Sequence, residues 1–431
     1  MFKILRRTLS IINAEQNIVR CESFEEKLFK KMKEIAKERE EALKKADFEL
    51  PRFLKREGDE AKFRRKRRTW AEGGKKDLEK KPKTEDDGTV SFERIKRKKS
   101  LVVLGYSGVN YYGMQRNPGC PTIEEELLTA MKKCEWITQE GYDQPQWIGF
   151  QRAARTDKGV SACIQCVSLK LPDNVDVDAL NASLPDQIKV FAVKRVTKGF
   201  NSKENCDFRT YSYTLPTIAF QQHDTPVLDM EGFRVSPEKM DEVTSVLKLY
   251  EGTKNYHNFT AKKAAFDPSA RRYMVSAEIS PPFIVRDVYE FATIKIKGQS
   301  FMLHQIRKMI GLMLAIVRGL TPKETVTKAF QQEKIDLPTA PGLGLVLNQP
   351  HYDRYNKRYG DDGIHEKLLF EDIKEKVEEF AEKNILPTII DTEISQKSML
   401  EFVVNLHKHT YEPREEDKAT ELNNKDDDGD E

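Results

Sequence analysis

The sequence predicts a mixed α/β (α+β) core, and three observations carry that prediction. Apolar runs of strand length recur through the middle of the chain, as at 101–106 and 163–171. Segments with helix start signals stand between them, and strands alternating with helices argue a layered sandwich. Residues 303–318 form one strongly apolar stretch of helical length.

In chain order, LVVLGY at 101–106 reads as a buried strand, followed by a tyrosine- and glycine-rich loop. Thr122 then caps a helix, and Glu125 three positions later completes a capping box. Leu127, Leu128 and Met131 give that helix its apolar face. A polar loop at 138–146 leads to a turn around Asp157 and the strand at 163–171. A short helix at 177–184 ends at Pro185, and 188–196 alternates as a strand. Further strands fall at 209–215, 273–279 and 289–297. Ser236 with Pro237 opens a helix by cap and first-turn proline. Thr321 caps a short helix after 303–318, and 343–347 closes the core as a strand. Helical patterns at 367–383 and 396–408 read as an extension packed on that core.

The chain has 431 residues, 38% hydrophobic and 33% charged, which suits a globular core with charged extensions and leaves room for two or three domains. The longest uncharged apolar run in the helical region, 309–317, is too short to cross a bilayer, so no membrane partner is expected. Net charge is only +3 but unevenly spread. Residues 52–68 hold nine Lys or Arg against three Asp or Glu, while 411–431 hold ten acidic residues against three basic ones. That asymmetry reads as a basic arm and an acidic tail. RRKRR at 64–68 has the make-up of a nuclear import signal or a nucleic-acid patch, or of a solvated charge run. The start carries Lys3, Arg6, Arg7 and Arg20 against Glu15 alone, with Leu5, Leu9, Ile11 and Ile12 as an apolar side. It resembles a mitochondrial presequence, with a frayed terminus as the alternative. Residues 25–45 read as a solvated charged helix, and 52–99 have too few large apolar groups to order themselves. Six cysteines are too sparse for a disulfide framework and point to a reducing compartment. Cys163 and Cys166 form a lone C-x-x-C whose members face opposite ways on a strand, so no metal is expected there.

The candidate for chemistry is GFQRAARTDKGVSA at 149–162. It sets one carboxylate, Asp157, between Arg155 and Lys158. Flanking cations favour the charged form of a carboxylate, which suits an attacking group, and they suit a polyanionic substrate. Asp-Lys-Gly is equally ordinary turn chemistry.

This stretch resembles the Arg-Thr-Asp-x-Gly-Val signature of the TruA family of tRNA pseudouridine synthases. YSGVNYYGMQRN at 106–117, LNASLP at 180–185, FRTYSY at 208–213, FMLHQIRKMIG at 301–311 and APGLGLVL at 340–347 match the same family in order. The GMQRN methionine, FNSK at 200–203 and the long ends look like the eukaryotic branch, tRNA pseudouridine synthase A (or 1). The resemblance implies two pseudo-repeated halves, about 100–205 and 206–360, sharing a mixed and largely antiparallel sheet with the cleft between them. Around that core stand a presequence candidate (1–20), a charged basic region (21–99), a C-terminal helical extension (361–412) and the acidic tail (413–431).

The resemblance also implies roles. Asp157 becomes the nucleophile, acting on sugar or base or stabilising a glycal. Arg307 becomes its ion-pair partner, on an apolar helix face near the positive helix end. Tyr211 is expected to stack on the extruded uracil and to assist proton transfer at C5. Arg155 is expected to help hold the base out of its stem. Lys158, Arg116 and His304 are expected to touch RNA phosphate, with a surface charge or a satisfied core histidine as the plain alternatives. The expected partner is tRNA, chiefly its anticodon-stem region, extending to other structured RNAs such as small nuclear RNA or mRNA. No cofactor is expected, because the isomerisation has no net redox change. A monomer is expected, placed in mitochondrion and nucleus, with cytoplasm as a further site. The rival readings are a non-catalytic RNA-binding or tRNA-folding protein of the same fold, and a general single-strand RNA-binding module. The latter predicts clustered exposed aromatics, and the basic arm has only Phe53, Phe63 and Trp70.

Overall fold

The computed structural model describes residues 96–225, 229–261 and 263–412. The presequence candidate, the charged helix at 25–45, the RRKRR patch and the acidic tail lie outside the described residues.

The strands are β1 (Arg97–Tyr106), β2 (Gln151–Arg152), β3 (Ser161–Pro172), β4 (Ile188–Arg195), β5 (Phe208–Pro216), β6 (Gly252–Asn255), β7 (Arg271–Ile279), β8 (Phe283–Val285), β9 (Tyr289–Gly298) and β10 (Leu345–His351). They form one mixed sheet of ten strands in the order β4-β1-β3-β10-β5-β9-β7-β6, with β2 beside β3 and β8 beside β9. Every pairing is antiparallel except β3 with β10. The expected mixed, largely antiparallel sheet is therefore present. β1 starts earlier than its apolar run, because pairing with β3 continues out to Arg97 and Pro172.

Alternation along the strands builds two cores. Val102 and Leu104 of β1 face a cluster with three helices, α1 (Ile123–Lys133), α2 (Pro237–Lys248) and α3 (Gln305–Val317). Leu101 and Val103 point the other way, against Phe380, Ile385 and Ile389 of the C-terminal extension. That extension holds α4 (Lys374–Phe380), α5 (Leu386–Gln396) and α6 (Ser398–Val404). Buried Lys194 on β4 ties it down through Glu366 at 2.9 Å and Asp372 at 2.7 Å.

Several elements depart from expectation for local reasons. Thr122 accepts from the Glu125 amide at 3.4 Å, but the Glu125 carboxylate pairs with Arg116 and takes the Tyr142 hydroxyl. Only half of the capping box forms. A helix at Gln139–Asp143, capped by Thr138, interrupts the polar loop. Thr321 bonds to Thr325 at 2.7 Å, and the short helix starts only at Thr325. Pro387 opens α5 directly after a widened π-turn at Ala381–Ile385. A proline inside a helical run lacks its N–H and clashes with the carbonyl four residues back; a π-turn is one way the chain absorbs that.

Gly311 decides how α3 meets the last loop of the core. A Cβ there would land far inside van der Waals contact with the Pro338 carbonyl oxygen. The close approach lets the Ala340 amide donate to the Arg307 carbonyl at 3.1 Å. Gly311→Ala should lower stability by about 1–3 kcal/mol through overpacking, although alanine is the better helix former by about 1 kcal/mol. A thermal melt shifted upward would refute the close-packing account.

Candidate active site

Asp157 sits in the turn that feeds β3. Its carbonyl accepts from the Val160 amide at 3.2 Å, and Gly159 at the third position has φ +76°. A type II turn needs positive φ there, which glycine adopts without strain. A buried network fixes the residue just before it. The Thr156 hydroxyl bonds to the Tyr106 hydroxyl at 2.8 Å, and Gln165 grips the backbone of Ala154 at both ends. The Met114 amide donates to the Thr156 carbonyl at 3.1 Å. Asp157 is thus a turn former, as its local sequence suggests, but its carboxyl stays partly accessible, with a quarter of its side chain exposed.

Arg307 faces it from the first turn of α3. Nη1 stands 4.0 Å from Asp157 Oδ2, too long for a hydrogen bond. What holds the guanidinium is the last core loop, whose Ala340 carbonyl accepts from Nε at 2.6 Å. Tyr213 fixes the same loop by donating to the Pro341 carbonyl at 2.7 Å. α3 begins at Gln305 rather than Leu303, because His304 takes a left-handed conformation with φ +60°. His304 Nε2 lies 3.7 Å from Asp157 Oδ2.

Tyr211 completes the group from β5, two residues before Tyr213 and on the same face. Its ring is 8% exposed and meets Phe301 edge-on at 5.1 Å. Burial pushes its hydroxyl well above the ordinary tyrosine range.

Asp157, Tyr211, Arg307, His304 and Arg155 line one cleft of about 920 Å³, within the roughly 300–1,000 Å³ of small-molecule sites. Arg155 is exposed at this cleft. Lys158 is also exposed, with its amine 4.3 Å from the Tyr112 ring centroid, outside the cleft lining. Arg116 is not brought to the cleft. It pairs with Glu125 at 2.5 Å, donates to the Tyr142 carbonyl at 2.7 Å and stacks on that ring, which is a structural post. Sequence reasoning passed over Arg209, which also lines the cleft. Its guanidinium donates to the carbonyls of Ala153, Gln299 and Lys203. Its place two residues before Tyr211, on the same strand face, was the available signal.

A family model described as tRNA pseudouridine synthase matches residues 246–353. The mouse protein "Pseudouridylate synthase 1 homolog" is 46% identical over 323 residues, which is 74% of this chain and 76% of the mouse one. Its human counterpart is 46% identical over 316 residues, covering 72% and 73%. The chain belongs to the tRNA pseudouridine synthase family. Baker's yeast "tRNA pseudouridine synthase 1" is a more distant member, 30% identical over 399 residues, covering 73% and 70%. The tRNA pseudouridine synthase family isomerises uridine to pseudouridine in tRNA. The family model spans Arg307 but neither Asp157 nor Tyr211, so their placement rests on the geometry above.

Arg307→Lys would keep a charge at the site but lose the Nε grip on Ala340 and the planar fork. A misplaced partner of this kind costs about 10²-fold in turnover, with folding cooperativity retained. If melting temperature and activity fall together, Arg307 is a structural residue instead.

Proposed function

We propose that this chain isomerises uridine to pseudouridine in tRNA, with the Asp157 carboxylate as nucleophile. The observation that carries the reading is Asp157 facing Arg307 across 4.0 Å in a solvent-accessible cleft, with no direct hydrogen bond between the two. The reaction breaks ribose C1′–N1 and joins C1′ to C5. The atoms are the same before and after, so the stoichiometry calls for no cofactor. A base in an RNA stem must first leave the stack, at a cost of a few kcal/mol repaid in the pocket. Arg155, exposed at the cleft, suits that task because a guanidinium can stack and grip phosphate at once. Lys158 on the Tyr112 ring offers a cation and an apolar face to the same strand.

The target is a uridine of the anticodon-stem region. Other structured RNAs, among them small nuclear RNA and mRNA, enter by the same shape-based recognition. The protein works as a monomer in the mitochondrion and the nucleus, addressed by its cationic start and by RRKRR.

Asp157→Ala should abolish pseudouridine formation in tRNA treated with purified protein, while RNA affinity stays nearly unchanged. Persisting modification would rule out the assignment. Deleting residues 1–20 should remove the mitochondrial pool in a fractionated cell; an unchanged distribution would show that this segment carries no import signal.

A further inference from the structure

The connection from β6 to β7 touches the cleft twice. Thr260 donates to the Leu303 carbonyl at 2.9 Å, and Leu303 lines the cleft. Arg272, the second residue of β7, lines the same cleft. Between them in the chain stands Phe266, 90% exposed. A single exposed apolar side chain is ordinary on a protein surface. What sets this one apart is how firmly its neighbours are held. The Ala265 carbonyl accepts from the Asn255 side chain at 2.6 Å. Lys263 reaches Asp267 at 2.6 Å and Ser269 at 2.7 Å, and the other Asp267 oxygen takes the Ser269 amide at 2.8 Å. A braced turn thus presents the ring to solvent.

Arg272 is unusual in a second way. It is half-buried with its Nε shut away from solvent, and among the described residues its guanidinium has no hydrogen bond or ion pair. Neighbouring cleft arginines are committed: Arg209 to backbone carbonyls, Arg307 to Ala340, Arg152 to Glu124 and Arg354 to Asp207. Burial works against the Arg272 charge; Asp267 opposes that, and Arg209 adds to it. Asp267 is itself taken by Lys263 and Ser269, so it gives the guanidinium no direct contact. A half-buried cation with free donors is completed by an anion brought from outside.

We propose that residues 263–272 form a second hold on the RNA, in which Arg272 grips a backbone phosphate beside the target uridine and Phe266 stacks on an unpaired base of the same strand. The inference rests on RNA being the substrate of this cleft. Arg272 shares the cleft with Asp157, so its phosphate lies on the strand that delivers the uridine. A guanidinium can give such a phosphate two parallel N–H bonds. Phe266 stands outside the cleft lining, so its base is one that stays out of the pocket. A ring with no polar atom meets the face of a base rather than its edge, which makes the hold tolerant of sequence. Because the turn is already braced, little order has to be gained on binding.

The test is single-turnover modification of a tRNA transcript over a range of protein concentrations, read as the half-saturating concentration. Arg272→Gln should lower the slope of log affinity against log salt by about one. Phe266→Ala should weaken binding about five-fold or more with the slope kept, and Phe266→Trp should retain the affinity. Both variants should melt like wild type; should Arg272→Gln melt early, Arg272→Met keeps the aliphatic packing and reads the same loss. Transcripts with a single neutral methylphosphonate linkage near the target then locate the phosphate. At one linkage wild type should lose affinity while Arg272→Gln loses no more, the mark of a direct pair. A single abasic nucleotide in the same strand should do the same for Phe266→Ala. Additive losses at every position, in either cycle, would overturn the proposal. Failure of the reading on which it rests is separately visible, since wild type would then leave the unaltered transcript unmodified.

Discussion

Parallel pairing of β3 with β10 is the constraint on which the site depends. The pairing is short, Val346 with Ser161 and Leu347 with Ala162. Because the two strands run the same way, the segments leading into them lie at the same end of the sheet. One is the Asp157 turn and the other the Ala340–Gly344 loop. A Cβ on Gly342 would lie 3.3 Å from the Lys158 carbonyl oxygen and 3.9 Å from Cζ of Arg307. An antiparallel pair would have put the two segments at opposite ends. β10 also carries Tyr211 on its other side, since Leu347 pairs with Tyr211 across the antiparallel ladder with β5. One residue of β10 thus has the Asp157 strand on one flank and the Tyr211 strand on the other.

The cleft is stiffened by polar groups spent on the backbone. Arg209 is nearly buried, and its partners are carbonyls from both parts of the sheet: Ala153 before β3 and Gln299 after β9. Carbonyl acceptors satisfy its hydrogen bonds without neutralising its charge. A positive charge therefore stays in the wall, where a phosphate-bearing substrate is drawn in. Thr156, Tyr106 and Gln165 do the corresponding work under the Asp157 turn, and burial pushes the Tyr106 hydroxyl up to about 12.

Much of this was legible in the residues. The apolar period of 305–317, the Ser236–Pro237 helix start, the apolar run of β1 and the alternation in β4 all act through near neighbours, so they survive in a one-dimensional reading. The Asp157 turn was legible for the same reason, through Gly159. What escaped depends on partners far along the chain. Glu125 forms only half of its capping box because Arg116 and Tyr142 claim its carboxylate. Arg116 read as a phosphate contact because nothing local shows that it is already bonded. α5 was missed because Pro387 breaks the helical pattern, and the relieving π-turn leaves no compositional mark. The left-handed turn at His304 is likewise set by tertiary contacts at Thr260 and Asp157.

The gap between Asp157 and Arg307 follows from how each is held. Had the guanidinium taken the carboxylate in a forked pair, with bonds near 2.8 Å, the carboxylate oxygens would not be free for any other group. Here Arg307 is anchored through Nε to Ala340, and Asp157 by its turn and the Thr156 network. At 4.0 Å the attraction is still on the order of 4 kcal/mol for an effective dielectric of about 20. That is enough to orient charge without a contact that chemistry must undo. A pair held apart by backbone bonds keeps both charges fixed and open to the cleft, so its field is in place without reorganisation.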